Sequence, residues 1–228
     1  MFRAVPFGCL SLLVVAALLL LFPLFLADVM ASALGKLGLS PTVSILVVIS
    51  MFIGGVINVP VRKIPRVMSL EAAPLGLFGA QRLFPGWFGQ SSYTVIAINA
   101  GGCIIPCLIV AYELHRIAAH GSTACALTAV AVAINVAVCH WVARPVANVG
   151  IVLTPLVPAL VAAACGFIFV RDFAPPVAFT AGVLGPLIGA DLLNLRRIGR
   201  VSAGMASIGG AGTFDGIVLS GLVATLLA

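Results

Sequence analysis

Seven apolar runs, each free of Lys and Arg, occupy most of this chain, and each approaches the roughly 20 residues a helix needs to cross hydrocarbon. They cover about 7–26, 41–59, 93–112, 124–142, 150–170, 177–195 and 203–227. Runs of Leu, Ile, Val and Ala this long lack the in/out alternation of a membrane barrel. The expected fold is therefore an all-α, polytopic membrane helix bundle of about seven transmembrane helices, forming one domain over 1–228. Charged residues make up 8% of the chain, against about a quarter in soluble domains. This composition excludes a disulfide-stapled secreted scaffold, a disordered chain and a DNA-binding module.

The first run follows Arg3, and Ala31-Ser32-Ala33 offers small residues of the kind a signal peptidase accepts. Its apolar stretch from Leu10 to Leu26 exceeds the 7–15 residues of a signal core, so an uncleaved anchor is expected. Orientation follows from the basic residues, which favour cytoplasmic loops. With the N-terminus cytoplasmic, the inner segments hold Arg3, Arg62, Lys63, Arg66, Arg82, Arg144, Arg196, Arg197 and Arg200, whereas the outer ones hold only Lys36, Arg116 and Arg171. The expected location is the inner (cytoplasmic) membrane, multi-pass, with the C-terminus outside. The net charge of +6 is then topological, and no nucleic acid partner is implied. The lipid bilayer is the expected partner, together with a membrane-embedded substrate or a small solute. The long inner loop 62–92 mixes aromatics with Arg82 and reads as interfacial.

One offset matches the chain to itself without gaps. Pro41, Val43, Gly55, Arg62, Ile64, Arg66 and Val67 correspond to Pro175, Val177, Gly189, Arg196, Ile198, Arg200 and Val201. The following segments, INAGGCIIP and SIGGAGTFDG, correspond more loosely. An internal duplication is expected, with halves at about 7–112 and 150–228 linked by an extra span at about 124–142.

Only six acids are present, so each can be placed. Asp28 and Asp172 fall at outer ends of spans, Glu71 in the inner loop, and Glu113 beside Arg116 in an end-of-helix ion pair. Asp191 and Asp215 remain, both inside spans, where an ionisable group is costly and usually functional. The alternative for Asp191 is a depth shallow enough for water, or a salt bridge to Arg196 or Arg197; for Asp215 it is a helix cap. The sixth and seventh spans are expected to be antiparallel neighbours. If Gly209-Gly210-Ala211-Gly212 is unwound, Thr213 would cap a helix starting at Phe214 and Asp215 would lie near the depth of Asp191. The competing reading gives these glycines a contact role alone. Asn58, Asn99, Asn135 and Asn194 suit interhelical hydrogen bonds, and Asn99 and Asn194 are also candidates to line a site with Gly209, Gly210, Gly212 and Thr213. The six cysteines lie in apolar runs and read as small buried hydrophobes. No metal set and no cofactor motif is expected.

The segments at 52–64, 98–106, 188–195 (IGADLLNL) and 207–217 (SIGGAGTFDGI) resemble the prokaryotic membrane-protein family called domain of unknown function 1614, over nearly the whole chain. That resemblance implies a polytopic membrane protein and no established activity. A looser similarity is to the presenilin-like diaspartyl membrane proteases, which place one Asp on an inward span and another in a glycine-rich motif on the next, outward span. Here Thr213 and Phe214 separate Gly212 from Asp215, and Pro158-Ala159-Leu160 precedes both acids rather than following them. Two functional expectations result. One is an intramembrane aspartyl protease with Asp191 and Asp215 as its catalytic pair. The other is a proton- or cation-coupled small-solute transporter with the same residues in its pathway. A third makes both acids structural in an accessory subunit.

Overall fold

The computed structural model describes residues 10–65, 93–146, 150–195 and 205–228. Helix α1 (Leu10–Lys36) runs ten residues beyond the expected end of the first span, because Ala, Met and Leu continue its apolar surface until Gly38 turns the chain with a positive φ of 76°. Met30, Ala33, Leu34 and Leu37 consequently join the main core. Asp28 lies within this helix, not at a span end. Helix α2 (Pro41–Gly54) starts with Ser40 as its cap and Pro41 in its first turn, and stops at Gly54-Gly55.

Strand β1 (Asn58–Pro65) follows and pairs antiparallel with β2 (Tyr93–Asn99). The chain then enters α3 (Ala100–His120), whose first turn, Ala100–Ile104, is π-helical. Gly121, with φ 138°, separates it from α4 (Ser122–Val142). A short hairpin of β3 (Arg144–Val146) and β4 (Gly150–Val152) leads to α5 (Leu156–Phe169). Helix α6 begins as Ala174–Leu184 and widens into a π-helical stretch, Gly185–Leu192. Strand β5 (Met205–Ile208) pairs parallel with β2, and α7 (Gly216–Leu227) closes the chain.

Among the described residues, four helices are long and apolar enough to cross a membrane, at Val14–Lys36, Ala100–His120, Ser122–Val142 and Arg171–Leu192, and three shorter apolar ones accompany them. The molecule is mostly helical but not all-α. The expected spans at 93–112 and 203–227 each open on a strand, β2 and β5, and the one at 150–170 opens on β4. The reason is local: Thr94-Val95-Ile96-Ala97-Ile98 is rich in β-branched residues, and Pro60 and Pro65 bar a helix across the end of the second run. β2 and β5 join β1 in a three-stranded sheet of order β1-β2-β5, whereas β4 pairs with β3.

Helix α6 is the central element. Ala174, Pro176–Val183 and Gly185 are buried with no polar face, as expected for a helix surrounded on all sides by α3, α4, α5 and α7. Asn135 on α4 donates to the Ala181 carbonyl across that packing at 2.8 Å. Lys36, Arg116 and Arg171 gather at one end of the bundle. Lys36 donates to the Leu226 carbonyl, Arg116 to the Leu37 carbonyl, and the guanidinium of Arg116 lies over Phe173. The Arg116–Glu113 ion pair, 2.9 Å long, has Glu113 fully buried. Arg62, Lys63 and Arg144 lie on strands at the opposite end, with the sheet and hairpin. The loop 66–92 and the segment 196–204, with Glu71, Arg82, Arg196, Arg197 and Arg200, fall outside the described residues. So do the alternative Asp191–Arg196/Arg197 bridge and the whole of 196–201, the stretch that the repeat matches to 62–67.

Candidate functional site

Three glycine-rich segments meet backbone to backbone beneath the sheet. A Cβ on Gly101 would lie 2.1 Å from the Met51 carbonyl oxygen and 2.4 Å from Gly55 N. One on Gly102 would lie 2.1 Å from the Gly209 oxygen, and one on Gly212 3.0 Å from Gly55 Cα. Only glycine permits these approaches, and Gly209 and Gly212 also need their positive φ of 71° and 61°. Asn99 ties the cluster together. Its amide donates to the Gly55 carbonyl at 2.7 Å and to Asn58 Oδ1 at 3.1 Å, while its Oδ1 accepts from Gly102 N at 2.7 Å. Ser207 Oγ donates to the same Asn58 oxygen, drawing β5 into the network.

From this anchor the chain turns through Gly209–Gly212 and a single 3₁₀ turn, Gly212–Phe214, before α7 begins. The glycine segment is indeed non-helical, but Thr213 is not the cap. Gly212 in the left-handed region shifts the start of the helix, and Asp215, with extended backbone at φ −70° and ψ 150°, is the N-cap. Its Oδ1 accepts from Ile217 N at 3.0 Å and its Oδ2 from Ala211 N at 3.4 Å. Asp191 arrives from the other side on the π-helical stretch of α6. Pro186 removes an N–H from the helical ladder there, and wide turns of this kind are frequent at functional sites.

Both carboxylates face the same space. Asp191, Asp215 and Ile151 line a cavity of about 350 Å³ whose remaining wall is Met205–Ala211, and also an adjoining cavity of about 190 Å³ whose wall includes Pro186, Ala190 and Ile217. The two acids are the ionisable residues among the described residues that line either cavity. The Asp191 carboxylate has no hydrogen-bond partner among the described residues, in contrast to the two backbone donors at the Asp215 carboxylate.

Of the other expected site residues, Gly209 and Gly210 line the larger cavity. Gly212 and Thr213 are buried behind it, Gly212 against Gly55. Asn99 is fully buried in the glycine cluster and lines neither cavity. Asn194 also lines neither; its amide returns to the Gly189 and Ala190 carbonyls of its own helix, and its Oδ1 is buried without a partner. The glycines thus serve both expectations: contact for Gly102, Gly209 and Gly212, and cavity wall for Gly209 and Gly210. Sequence reasoning missed the wall contributed by Met205–Ile208 and by Ile151, Val152 and Leu153. Nothing in the apolar runs marked these residues, although Gly185-Pro186 inside a helical run was a signal for the wide turn.

A family model described as a protein of unknown function (DUF1614) matches residues 52–227. That stretch contains the glycine cluster, both carboxylates and the whole sheet. No curated protein and no solved structure matches the chain.

Proposed function

We propose, for a chain that belongs to the DUF1614 family of proteins of unknown function, that Asp191 and Asp215 form the catalytic pair of an intramembrane aspartyl protease. The observation that carries this reading is the convergence of two carboxylates, from two different helices, on one cavity large enough for several waters. Two carboxyls confined together do not both ionise but share a proton. Asp215, with its two backbone N–H donors, suits the ionised form and acts as the base; Asp191 carries the proton. The base takes a proton from water as the water oxygen attacks the peptide carbonyl, and the acid hydrogen-bonds and then protonates the carbonyl oxygen. The tetrahedral intermediate collapses as its nitrogen is protonated and the C–N bond breaks, releasing a carboxylic acid and an amine.

Strand β5 supports a peptide as substrate. Among the described residues it is an edge strand of the sheet, and its residues line the larger cavity beside both acids. An unwound segment of a membrane helix can add to such an edge through main-chain hydrogen bonds. The surrounding architecture in this proposal is a seven-span bundle in the cytoplasmic membrane with its N-terminus inside. The separation of Lys36, Arg116 and Arg171 from Arg62, Lys63 and Arg144 supports that orientation. The test is cleavage of a helical substrate in proteoliposomes: Asp191→Asn and Asp215→Asn should each abolish it, and cleavage retained by either variant refutes the pair.

One observation favours a second reading, a proton- or cation-coupled transporter built from duplicated halves. Strands β2 and β5 lie parallel with Ile98 opposite Ile208, and each leads through a glycine segment into an apolar helix. Such paired interrupted elements suit a central solute site. This reading predicts gradient-driven uptake that Asp215→Asn abolishes, with no peptide cleaved.

A further inference from the structure

A second polar site lies in the groove between α1 and α2, independent of the reading given to Asp191 and Asp215. The groove encloses about 490 Å³, within the range of small-molecule pockets. Its wall is apolar except for Asp28 and Ser32 on α1 and Ser44 on α2. Asp28 and Ser32 are one turn apart and share a helix face. Asp28 lies eight residues before the end of α1 at Lys36, about 12 Å along the axis at 1.5 Å per residue. That depth is inside an apolar span, where a carboxyl is expensive. Its carboxylate makes no ion pair or hydrogen bond among the described residues, and Lys36 is engaged with the Leu226 carbonyl.

Ser44 adds an independent observation. Ser50, Thr128, Thr180 and Thr225 each donate the hydroxyl to the carbonyl four residues back in their own helices. Ser44 does not: it is 2% exposed, lines the groove, and its Oγ has no partner. The Ser44 hydroxyl, buried and unpaired, and the Asp28 carboxylate, exposed and unpaired, lie along one apolar groove, and a ligand seated there would meet both. The complement is a cationic donor on an aliphatic body.

We infer that the α1–α2 groove binds a single-chain aliphatic ammonium, with its head between Asp28 and the hydroxyls of Ser32 and Ser44 and its chain along Ile45, Val48 and Ile49. The probe is radiolabelled dodecylamine, measured by equilibrium binding to the full chain in nanodiscs of zwitterionic lipid against empty nanodiscs. Saturable binding is expected. Asp28→Asn should weaken it about 10- to 100-fold, the loss of one charge-assisted contact, and Ser44→Ala about two- to tenfold. Asp28→Glu should restore binding, which separates charge from folding, and Asp191→Asn should bind as the parent does. Dodecanol should not compete. Binding no greater than to empty nanodiscs, equal binding by Asp28→Asn, or equal competition by dodecanol would overturn the inference. So would a cross-linkable dimer that Asp28→Asn dissolves, which would make the groove an interface between copies.

Discussion

Replacing Gly102 by Ala tests whether the glycine cluster sets the position of Asp215. Gly102 has no positive φ, so Ala meets no backbone penalty there, and the effect reports space alone. The new Cβ would lie 2.1 Å from the Gly209 oxygen, 2.9 Å from its carbonyl carbon and 3.0 Å from the Gly212 oxygen. Relief requires the 209–212 turn to retreat by roughly 1.2–1.5 Å to reach ordinary carbon–oxygen contact distances of about 3.3–3.6 Å. All three obstructing atoms are backbone, and the turn is held by β2–β5 pairing on one side and by Asp215 N to the Gly212 carbonyl on the other. Overpacking of this kind costs about 1–3 kcal/mol, reduced by the roughly 0.4–1 kcal/mol that Gly→Ala gains through the unfolded chain. A net loss of about 1–2 kcal/mol is expected, read as a lower unfolding midpoint in detergent. Cleavage should fall more steeply than stability, because the displaced turn carries Asp215. Gly216→Ala is the control: its Cβ meets nothing within 4 Å, so it should be neutral or slightly stabilising. An unchanged midpoint and unchanged cleavage in Gly102→Ala would refute the reasoning.

Asn99→Ala should lower stability by about 1–3 kcal/mol for each buried partner it strands, Gly55 O and Gly102 N among them, measured in the same unfolding assay. Arg116→Ala should destabilise by up to about 3 kcal/mol, below the full cost of breaking a buried pair because Arg116 is partly exposed. Adding Glu113→Gln should recover much of that loss, and failure to do so would show that the pair is not the cause. For the proposed protease, cleavage rate should be bell-shaped in pH, falling at low pH as the base is protonated and at high pH as the acid ionises. A profile with one limb would remove one of the two roles.

The apolar runs identified the helices because length and composition decide membrane insertion, and the scarcity of acids isolated Asp191 and Asp215 before any geometry was known. The strands were not legible. Thr94–Ile98 and Met205–Ile208 are short apolar segments continuous with helical runs, and periodicity cannot separate a buried strand of this length from helix. Their partners lie far along the chain, so the sheet follows from pairing rather than from local preference. The cap was legible only as a choice: Thr213 and Asp215 both suit that position, a cap being the alternative role for Asp215, and the left-handed Gly212 decides for Asp215. Asn99 looked like a site residue because it precedes two glycines. It lines neither cavity, and its hydrogen bonds, the other role read for it, hold the backbone that only those glycines allow to come so close.

The paired action of Asp191 and Asp215 is tested most directly by equilibrium binding of an apolar peptide carrying a non-cleavable hydroxyethylene unit, compared with its deoxy counterpart. A tetrahedral hydroxyl between two carboxyls mimics the intermediate, and such mimics bind roughly 100-fold or more tighter than ground-state analogues. A preference of about that size for the hydroxyl peptide is expected in the parent protein, and its loss in both Asp191→Asn and Asp215→Asn. Equal binding of the two peptides, or a preference that survives either substitution, would contradict it.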